Sequence, residues 1–361
     1  MKIFLKENEA VVLFDKTLRH YLTGFSSTFG IVVISANGNF FITDKRYFEA
    51  AEKTIKNYTL IDYDKDALLN LLKKQNIKKI FTVLELLTAD KYIEFTQNGF
   101  LVEDNSLNVY ESIAIKDKEA LKNIKTACRI AEKSYSLVLK AIKEDITEKQ
   151  LAEKLESLMQ QFGAEDKSFD TIVAFGKNTA VPHHETGNAK LKENQPVLID
   201  FGCKYKGYCS DMTRSFYFGK PHINYMNSYF AVLNAHINSS EYISAGRTAG
   251  TADKLARDIL TINGYGEKFT HSLGHGVGLD IHEYPYLRKD SKTVFKEGMV
   301  FTIEPGVYFK GKFGIRIENT YAIINGKAKS FMNYTKDLEI ISNGKIERIK
   351  TYQKKLITKI I

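Results

Sequence analysis

The chain has 361 residues, of which 43% are hydrophobic and 26% are charged, a composition that is typical of a globular protein and excludes a disordered chain. Its 52 Lys and Arg outnumber its 43 Asp and Glu, but only nine of the 52 are Arg, so a diffuse lysine-rich surface is favoured over a nucleic-acid interface. No apolar run approaches the roughly 18 residues of a membrane span, the N-terminus has no secretory apolar region, and three Cys are too few for a disulfide framework, so we expect a cytoplasmic protein that binds no membrane.

The first 114 residues are predicted to form a small mixed α/β domain. Asn37-Gly38 lies between two apolar runs and is a strong hairpin signal. Residues 64–74 are typical of a helix between two later strands. The strand-like runs are 29–34, 40–43, 58–63 and 80–84. Near residue 115 this pattern gives way to a long helix, so we predict a second domain over 115–361.

The second domain begins with two predicted helices and continues as alternating strands and helices. The second helix starts at Thr147, which forms a capping box with Gln150, and ends near Gly163. The predicted strands are 171–175, 197–201, 208–218, 299–309 and 314–324. The predicted helices that follow are 226–245 and 251–263. All five Pro and seven of the eight His lie in the second half of the chain, so we expect the chemistry to lie there.

Four carboxylates interrupt apolar strands in this second domain. If the first turn centres on residues 205 and 206, Asp200 lies directly opposite Asp211; a loop centred on Gly311 brings Glu304 opposite Glu318. Like charges directly opposite each other destabilise a sheet, and isolated buried charges are costly. Protonation or bound cations relieve both costs. Four carboxylates match two divalent ions in charge.

His275 supplies an imidazole for such a site. Glycines on both sides, Gly274 and Gly276, let the backbone approach closely and expose the ring. An oxygen-rich site with one imidazole suits Mn, Fe, Co or Zn in a two-metal centre. For a single acid the alternative of a solvent-facing strand residue is favoured, but two matching hairpins reverse that preference. Cys203 and Cys209 are expected as buried thiols rather than a disulfide.

These residues resemble the metal-dependent Xaa-Pro peptidases of the pita-bread fold, the group that contains aminopeptidase P and prolidase. The segments that carry the resemblance are Val181-Pro182-His183-His184, Leu198-Ile199-Asp200-Phe201-Gly202, Tyr208-Cys209-Ser210-Asp211-Met212-Thr213-Arg214, His271-Ser272-Leu273-Gly274-His275-Gly276-Val277-Gly278, Ile281-His282-Glu283, Glu304-Pro305-Gly306 and Arg316-Ile317-Glu318. The resemblance implies an α+β protein. Its C-terminal pita-bread domain would hold pseudo-symmetric antiparallel hairpins flanked by helices, behind a creatinase-like N-terminal α/β domain.

The resemblance also implies a dinuclear centre. Its ligands would be Asp200, Asp211, His275, Glu304 and Glu318, with Asp211 and Glu318 bridging two divalent ions. Mn is the favoured metal, with Co, Zn or Fe as alternatives.

Further roles follow from the same resemblance. Glu304 would act as general base and acid, and His183 and His282 would bind the substrate and the tetrahedral intermediate. His271 would line the proline pocket, and Arg316 would orient the carboxylates. His184 has no assigned role.

The implied activity is that of an Xaa-Pro aminopeptidase, a metallopeptidase that acts on peptides with proline in the second position. A strict dipeptidase is the alternative. Many prolidases carry an Arg directly after the Pro of the His-Glu-x-Pro segment, where this chain has Tyr286; Arg288, two residues on, is the substitute candidate for binding substrate. A non-catalytic binding module would lack ligands, and all five are present. A homodimer is implied by resemblance.

Overall fold

The computed structural model describes residues 5–342 and 344–350. The chain divides into two compact units, Met1–Ile113 and Ala114–Ile361. Among the described helices, none combines the length and apolar character needed to cross a membrane.

The first unit is a six-stranded mixed sheet between two layers of helices. Its strands are β1 (Glu9–Leu13), β2 (Ile31–Ser35), β3 (Gly38–Thr43), β4 (Thr59–Asp62), β5 (Lys79–Thr82) and β6 (Leu101–Asp104), in the order β4-β3-β2-β1-β5-β6. Its helices are α1 (Lys16–Thr23), α2 (Lys45–Thr54), α3 (Ala67–Lys74), α4 (Ala89–Gln97) and α5 (Ser106–Ala114). Alternate residues of β1 enter two separate apolar cores: Ala10 and Val12 pack with α3, and Val11 and Leu13 with α1. The predicted hairpin is confirmed, although its turn residues are Ala36 and Asn37 because Ser35 pairs with Gly38.

The second unit combines two five-stranded sheets with four long helices. Its helices are α6 (Lys118–Val138), α7 (Glu148–Gln161), α8 (Ile223–Tyr242) and α9 (Ala249–Ile262). Its strands are β7 (Asp166–Lys167), β8 (Ile172–Phe175), β9 (Gln195–Phe201), β10 (Cys203–Tyr205), β11 (Tyr208–Cys209), β12 (Met212–Phe218), β13 (Gly274–Gly276), β14 (Glu283–Leu287), β15 (Val300–Ile303), β16 (Gly306–Phe309), β17 (Phe313–Arg316), β18 (Asn319–Ile324), β19 (Lys327–Ser330), β20 (Leu338–Ser342) and β21 (Lys345–Ile349). One sheet has the order β21-β20-β12-β9-β8 and the other β14-β13-β15-β18-β19. The α+β class is confirmed.

Helices α6 and α7 pack together over the main core of this unit. The predicted capping box at the start of α7 is confirmed: the Gln150 backbone N–H donates to Thr147 Oγ1 at 3.1 Å, and the Thr147 backbone N–H donates to Gln150 Oε1 at 3.0 Å. Cys203 and Cys209 are free, buried thiols, as expected.

The predicted register of the first carboxylate hairpin is wrong. Tyr205 pairs with Tyr208, and further along Asp200 pairs with Thr213 rather than with Asp211. The turn residues are Lys206 and Gly207, with φ of 49° and 77°. A two-residue hairpin turn of this kind needs positive φ at both positions, and glycine adopts it at little cost. Gly207 therefore moves the turn one residue beyond the predicted centre.

The predicted register of the second carboxylate hairpin is confirmed. Ile303 pairs with Asn319 on one side of the two acids, and Gly306 pairs with Arg316 on the other. The register is the same on both sides, and it is the register that would place Glu304 opposite Glu318. Regular pairing stops between these two pairs, which leaves both acids at a break shared by the two strands. The breaks let the carboxylates leave the regular alternation of the sheet.

Candidate metal centre

A cavity of about 450 Å³ lies in the second unit. All five predicted metal ligands line it, and so do four other predicted site residues, namely His183, His271, His282 and Arg316. Arg288 is the one predicted site residue outside this lining; its guanidinium carbon lies 5.8 Å from the ring centroid of Tyr286, which does line the cavity.

The five proposed ligands lie at or beside strand ends. Asp200 lies one residue before the end of β9, Asp211 lies just before β12, and His275 is the centre of β13. Glu304 follows β15 and Glu318 precedes β18. Each ligand thus comes from a different strand, and the two sheets bring them into one cavity.

Two glycines hold His275 in place by allowing backbones to approach. A Cβ at Gly274 would lie 2.1 Å from the Thr302 carbonyl oxygen, and one at Gly276 would lie 2.4 Å from the Tyr284 carbonyl oxygen. Real Cβ atoms do not approach backbone so closely, so neither position accepts a larger residue without movement. The glycine-flanked histidine of the sequence is therefore a consequence of tight strand packing around the imidazole.

Three ligands form a compact donor group. One donor atom from each of Asp211, His275 and Glu318 lies within 4.8 Å of the others. His275 Nε2 is 3.5 Å from Asp211 Oδ2 and 3.3 Å from Glu304 Oε1. His275 Nδ1 lies 3.1 Å from the Gly276 carbonyl oxygen, so we assign the ring proton to Nδ1, which leaves the Nε2 lone pair facing the carboxylates.

The donor chemistry fits divalent cations. Asp200 Oδ2 accepts from Arg316 Nη2 at 2.5 Å, and Glu318 Oε2 accepts from Thr213 Oγ1 at 2.6 Å. The second oxygen of each carboxylate, Asp200 Oδ1 and Glu318 Oε1, is buried without a hydrogen-bond partner. Because buried carboxylate oxygens are normally satisfied, these two oxygens are the ones that a cation would engage.

The pKa values of the acids and histidines in the cavity also favour a site for cations. Burial, reinforced by neighbouring carboxylates, raises the pKa of Asp211 and of Glu318 well above the usual range. Burial raises the pKa of Glu304 to about 8, and it lowers the pKa of His275 and of His271 to about 3. The protein alone therefore disfavours the ionised acids, and bound cations would reverse that preference.

A hydrogen-bonded chain connects the carboxylates to the histidines. Arg316 Nη1 donates to the Tyr308 hydroxyl at 2.7 Å, and that hydroxyl lies 3.0 Å from His271 Nε2. Arg316 also donates through Nε to Thr213 Oγ1 at 3.1 Å. The sequence alone does not single out Tyr308, because a tyrosine in an apolar strand is typical of an ordinary core residue.

His282 and His183 line the cavity, whereas His184 does not. The His282 ring lies edge-on to the His275 ring, with centroids 4.3 Å apart. His183 is exposed on the segment that follows β8. His184 does not line this cavity; its Nε2 lies 2.9 Å from Glu148 Oε2.

Comparisons with known proteins cover both units. Residues 122–325 match metallopeptidase family M24, and residues 6–99 match the creatinase/prolidase N-terminal domain. The chain is 33% identical to an Xaa-Pro dipeptidase of Pyrococcus furiosus, over 93% of this chain and 97% of the relative. Its structure resembles that of an Xaa-Pro dipeptidase from Bacillus anthracis, with a TM-score of 0.88, 35% identity, and coverage of 92% of this chain and 95% of the other. It also resembles an X-Pro aminopeptidase from Thermotoga maritima, with a TM-score of 0.82, 30% identity, and coverage of 92% and 95%.

Proposed function

Because the chain belongs to metallopeptidase family M24 and is therefore a metallopeptidase, we propose that it is an Xaa-Pro dipeptidase that uses two divalent ions. The resemblance seen in the sequence is confirmed at the level of the family. The names of the relatives favour the dipeptidase alternative over the aminopeptidase that the sequence favoured. The observation that carries the proposal is the cluster of five converging donors with two unsatisfied buried oxygens.

The proposed ligands divide between two ions. We assign Asp211 and Glu318 as the ligands that both ions would share; in support, one donor atom from each lies within 4.8 Å of the other and of a His275 nitrogen. Asp200 would serve one ion, and His275 with Glu304 the other. When bound, the ions supply Lewis-acid activation of water and of the scissile carbonyl.

The chain's own side chains supply the proton transfer and the substrate contacts. We assign the role of general base and acid to Glu304. Its Oε1 accepts a hydrogen bond from Thr302 Oγ1 at 3.1 Å, and its Oε2 lies 3.9 Å from His271 Nδ1. His271 and His275 are neutral near pH 7 because their pKa values are about 3. We assign substrate hydrogen bonding to His183 and His282, and the proline pocket to His271.

The aminopeptidase remains a second candidate on one observation. A dipeptidase has to bind the free carboxylate that follows proline, and such binding normally uses a cation. Among the described residues that line the cavity, Arg316 is the one Lys or Arg, and it is paired with Asp200. A second cavity of about 580 Å³ adjoins the first and shares Asp170, Ile172 and His183 with it.

Peptide length separates the two candidates. Purified protein, treated with EDTA and reloaded with Mn²⁺ or Co²⁺, is assayed on Ala-Pro and on Ala-Pro-Ala, with Ala-Ala as the control for the proline requirement. A dipeptidase cleaves Ala-Pro and is nearly inactive on the tripeptide. Comparable kcat/KM on both peptides would instead identify the protein as an aminopeptidase. Activity that survives EDTA, or equal cleavage of Ala-Ala, contradicts both candidates.

We also propose Mn as the native metal and a homodimer as the assembly. Mn suits a set of four carboxylates and one imidazole, and the dimer rests on the family resemblance. Metal analysis of protein purified without chelator tests the first proposal, and light scattering across a concentration series tests the second.

A further inference from the structure

Glu148, the first residue of α7, has a fully buried carboxylate that takes no part in the metal centre. Its Oε1 accepts from the Phe175 backbone N–H at 2.9 Å and from Asn178 Nδ2 at 2.8 Å. Its Oε2 accepts from the Gly187 backbone N–H at 3.1 Å, and His184 Nε2 lies 2.9 Å away. A carboxylate has about four lone-pair sites, so all of them are engaged.

The four partners belong to one segment of chain. Phe175 begins it at the end of β8, Gly187 ends it, and His184 lies within it. Between these anchors lie Pro182 and His183, both of which line the metal cavity. One carboxylate therefore fastens the segment at both ends and next to His183.

We infer that Glu148 and His184 are positioning residues that hold His183 in the metal cavity. The inference rests on the proposed function, in which His183 binds substrate. Because His183 and His184 are neighbours in sequence, fixing the His184 ring against Glu148 fixes the backbone from which His183 projects. His184 lines the adjoining cavity but not the metal cavity, so it acts through His183.

The backbone around Glu148 supports the same arrangement. The Glu148 N–H donates to the Ala189 carbonyl at 3.0 Å, and the Lys149 N–H donates to the Gly187 carbonyl at 2.9 Å. The helix N-terminus therefore binds the end of the segment through its otherwise unpaired N–H groups. A buried carboxylate is costly unless it is fully hydrogen-bonded, and here the segment that carries His183 supplies every donor.

A double-mutant cycle tests the inference. His184→Ala, His183→Ala and the double variant are compared with wild type by kcat/KM on Ala-Pro, using metal-loaded protein. His184→Ala should lose about 10- to 100-fold, the usual cost of removing a residue that orients a site group. In the His183→Ala background the same change should cost less than about twofold, because there is no longer an imidazole to position. Metal content should stay at its wild-type value, whereas the melting temperature of His184→Ala should fall by a few degrees, because the buried Glu148 carboxylate loses one of its four partners.

Two further variants sharpen the test. His184→Gln keeps an N–H donor within reach of Glu148 and should recover part of the loss, whereas His222→Ala, at an exposed histidine, should leave kcat/KM unchanged. Should His184→Ala fail to fold, Glu148→Gln enters the same cycle, with the same loss expected. An equal loss in both backgrounds, no loss at all, or loss of metal overturns the inference. Wild-type protein that does not cleave Ala-Pro overturns the proposed function instead, so the two failures are distinguishable.

Discussion

At the scale of single residues, the cavity holds more negative charge than its one arginine offsets. Asp200 is paired with Arg316. Burial raises the pKa of Asp211, Glu304 and Glu318, and the negative charge of Asp200 raises all three further. Two of the buried oxygens have no partner. Such a group of acids is explained by function rather than by stability, because an apolar filling would be less costly.

Asp211→Asn tests the assignment of this residue as a bridging ligand. The amide keeps the size of the side chain but removes the charge, so metal affinity should fall at least about 100-fold, the upper end of what is seen for groups that only orient a ligand. Activity should fall with it. Atomic absorption after dialysis measures the metal, and kcat on Ala-Pro measures the activity. Asp258→Asn, at a half-buried helical position outside the cavity, is the matched control. Full metal content with substantial turnover would remove Asp211 from the centre.

Tyr308→Phe tests the chain from Arg316 to His271. The change removes only the hydroxyl, which leaves the buried Arg316 Nη1 with one acceptor fewer and costs about 1–3 kcal/mol. Since His271 also loses its partner, we expect kcat/KM to fall about 10-fold, which corresponds to about 1.4 kcal/mol.

The metal content of Tyr308→Phe should not change, because Tyr308 is not a ligand. Tyr265→Phe keeps the ring that packs on Phe309 and is the control. A Tyr308→Phe variant with wild-type kcat/KM would show that the hydroxyl is dispensable.

Sequence reasoning finds residues when their type conflicts with their surroundings. The carboxylates in apolar strands could be found in this way, because a strand core has no ordinary use for them. Glu148 and Tyr308 could not, since Glu in a first helical turn and Tyr in a strand are common. Their roles depend on partners that are distant in sequence, and only the fold reveals these.

At the scale of elements, the residues that form the turn decide whether the register of a hairpin can be predicted. The second carboxylate hairpin turns at Gly311, with φ of 72°, and its predicted register holds over both pairs of strands. The register predicted for the first hairpin is wrong because a turn at Tyr205 and Lys206 leaves out Gly207, which accepts positive φ more readily. Asp200 and Asp211 still line one cavity, because both lie near the point where the strands break.

Gly274→Ala tests whether strand packing fixes His275. The new methyl group would meet the Thr302 carbonyl oxygen at 2.1 Å, so β13 must move away from β15. We expect a loss of more than about 2 kcal/mol in the free energy of unfolding, in the range of strained core insertions, together with weakened metal binding. Urea unfolding and metal titration measure the two effects.

Gly311→Ala provides the comparison for this element. No heavy atom lies within 4 Å of the added methyl group, and only its positive φ is unfavourable, so the cost should be about 1 kcal/mol. Metal binding should be unchanged, because four paired positions, from Phe309 with Phe313 to Gly306 with Arg316, separate this turn from Glu304 and Glu318. Equal effects of the two changes on metal binding would show that the packing of Gly274 does not position the imidazole.

At the scale of the whole molecule, the formal charge of +9 hides an uneven distribution. The second unit buries Asp211 and Glu318 inside a protein that is basic overall, so removal of metal should change its response to pH. A carboxyl whose folded pKa is raised stabilises the protein below the unfolded pKa and loses that contribution as pH rises through the folded value. A histidine whose folded pKa is lowered, such as His275, has the opposite effect, but only below about pH 6.5.

The window from about pH 7 to pH 8 is therefore dominated by the carboxylates. There His271 and His275 are neutral in the folded chain and mostly neutral in the unfolded chain, where the ordinary histidine pKa is about 6.5. Lys336, whose pKa burial lowers to about 8, is only beginning to oppose the trend. For chelated protein we expect the free energy of unfolding in urea to fall by roughly 1 kcal/mol across this window for a group such as Glu304, whose pKa is about 8. Protein loaded with excess Mn²⁺ should show no such fall, because the cations keep the acids ionised. Glu304→Gln should flatten the slope of the chelated protein, whereas parallel curves with and without Mn²⁺ would place the titrating groups outside the metal centre.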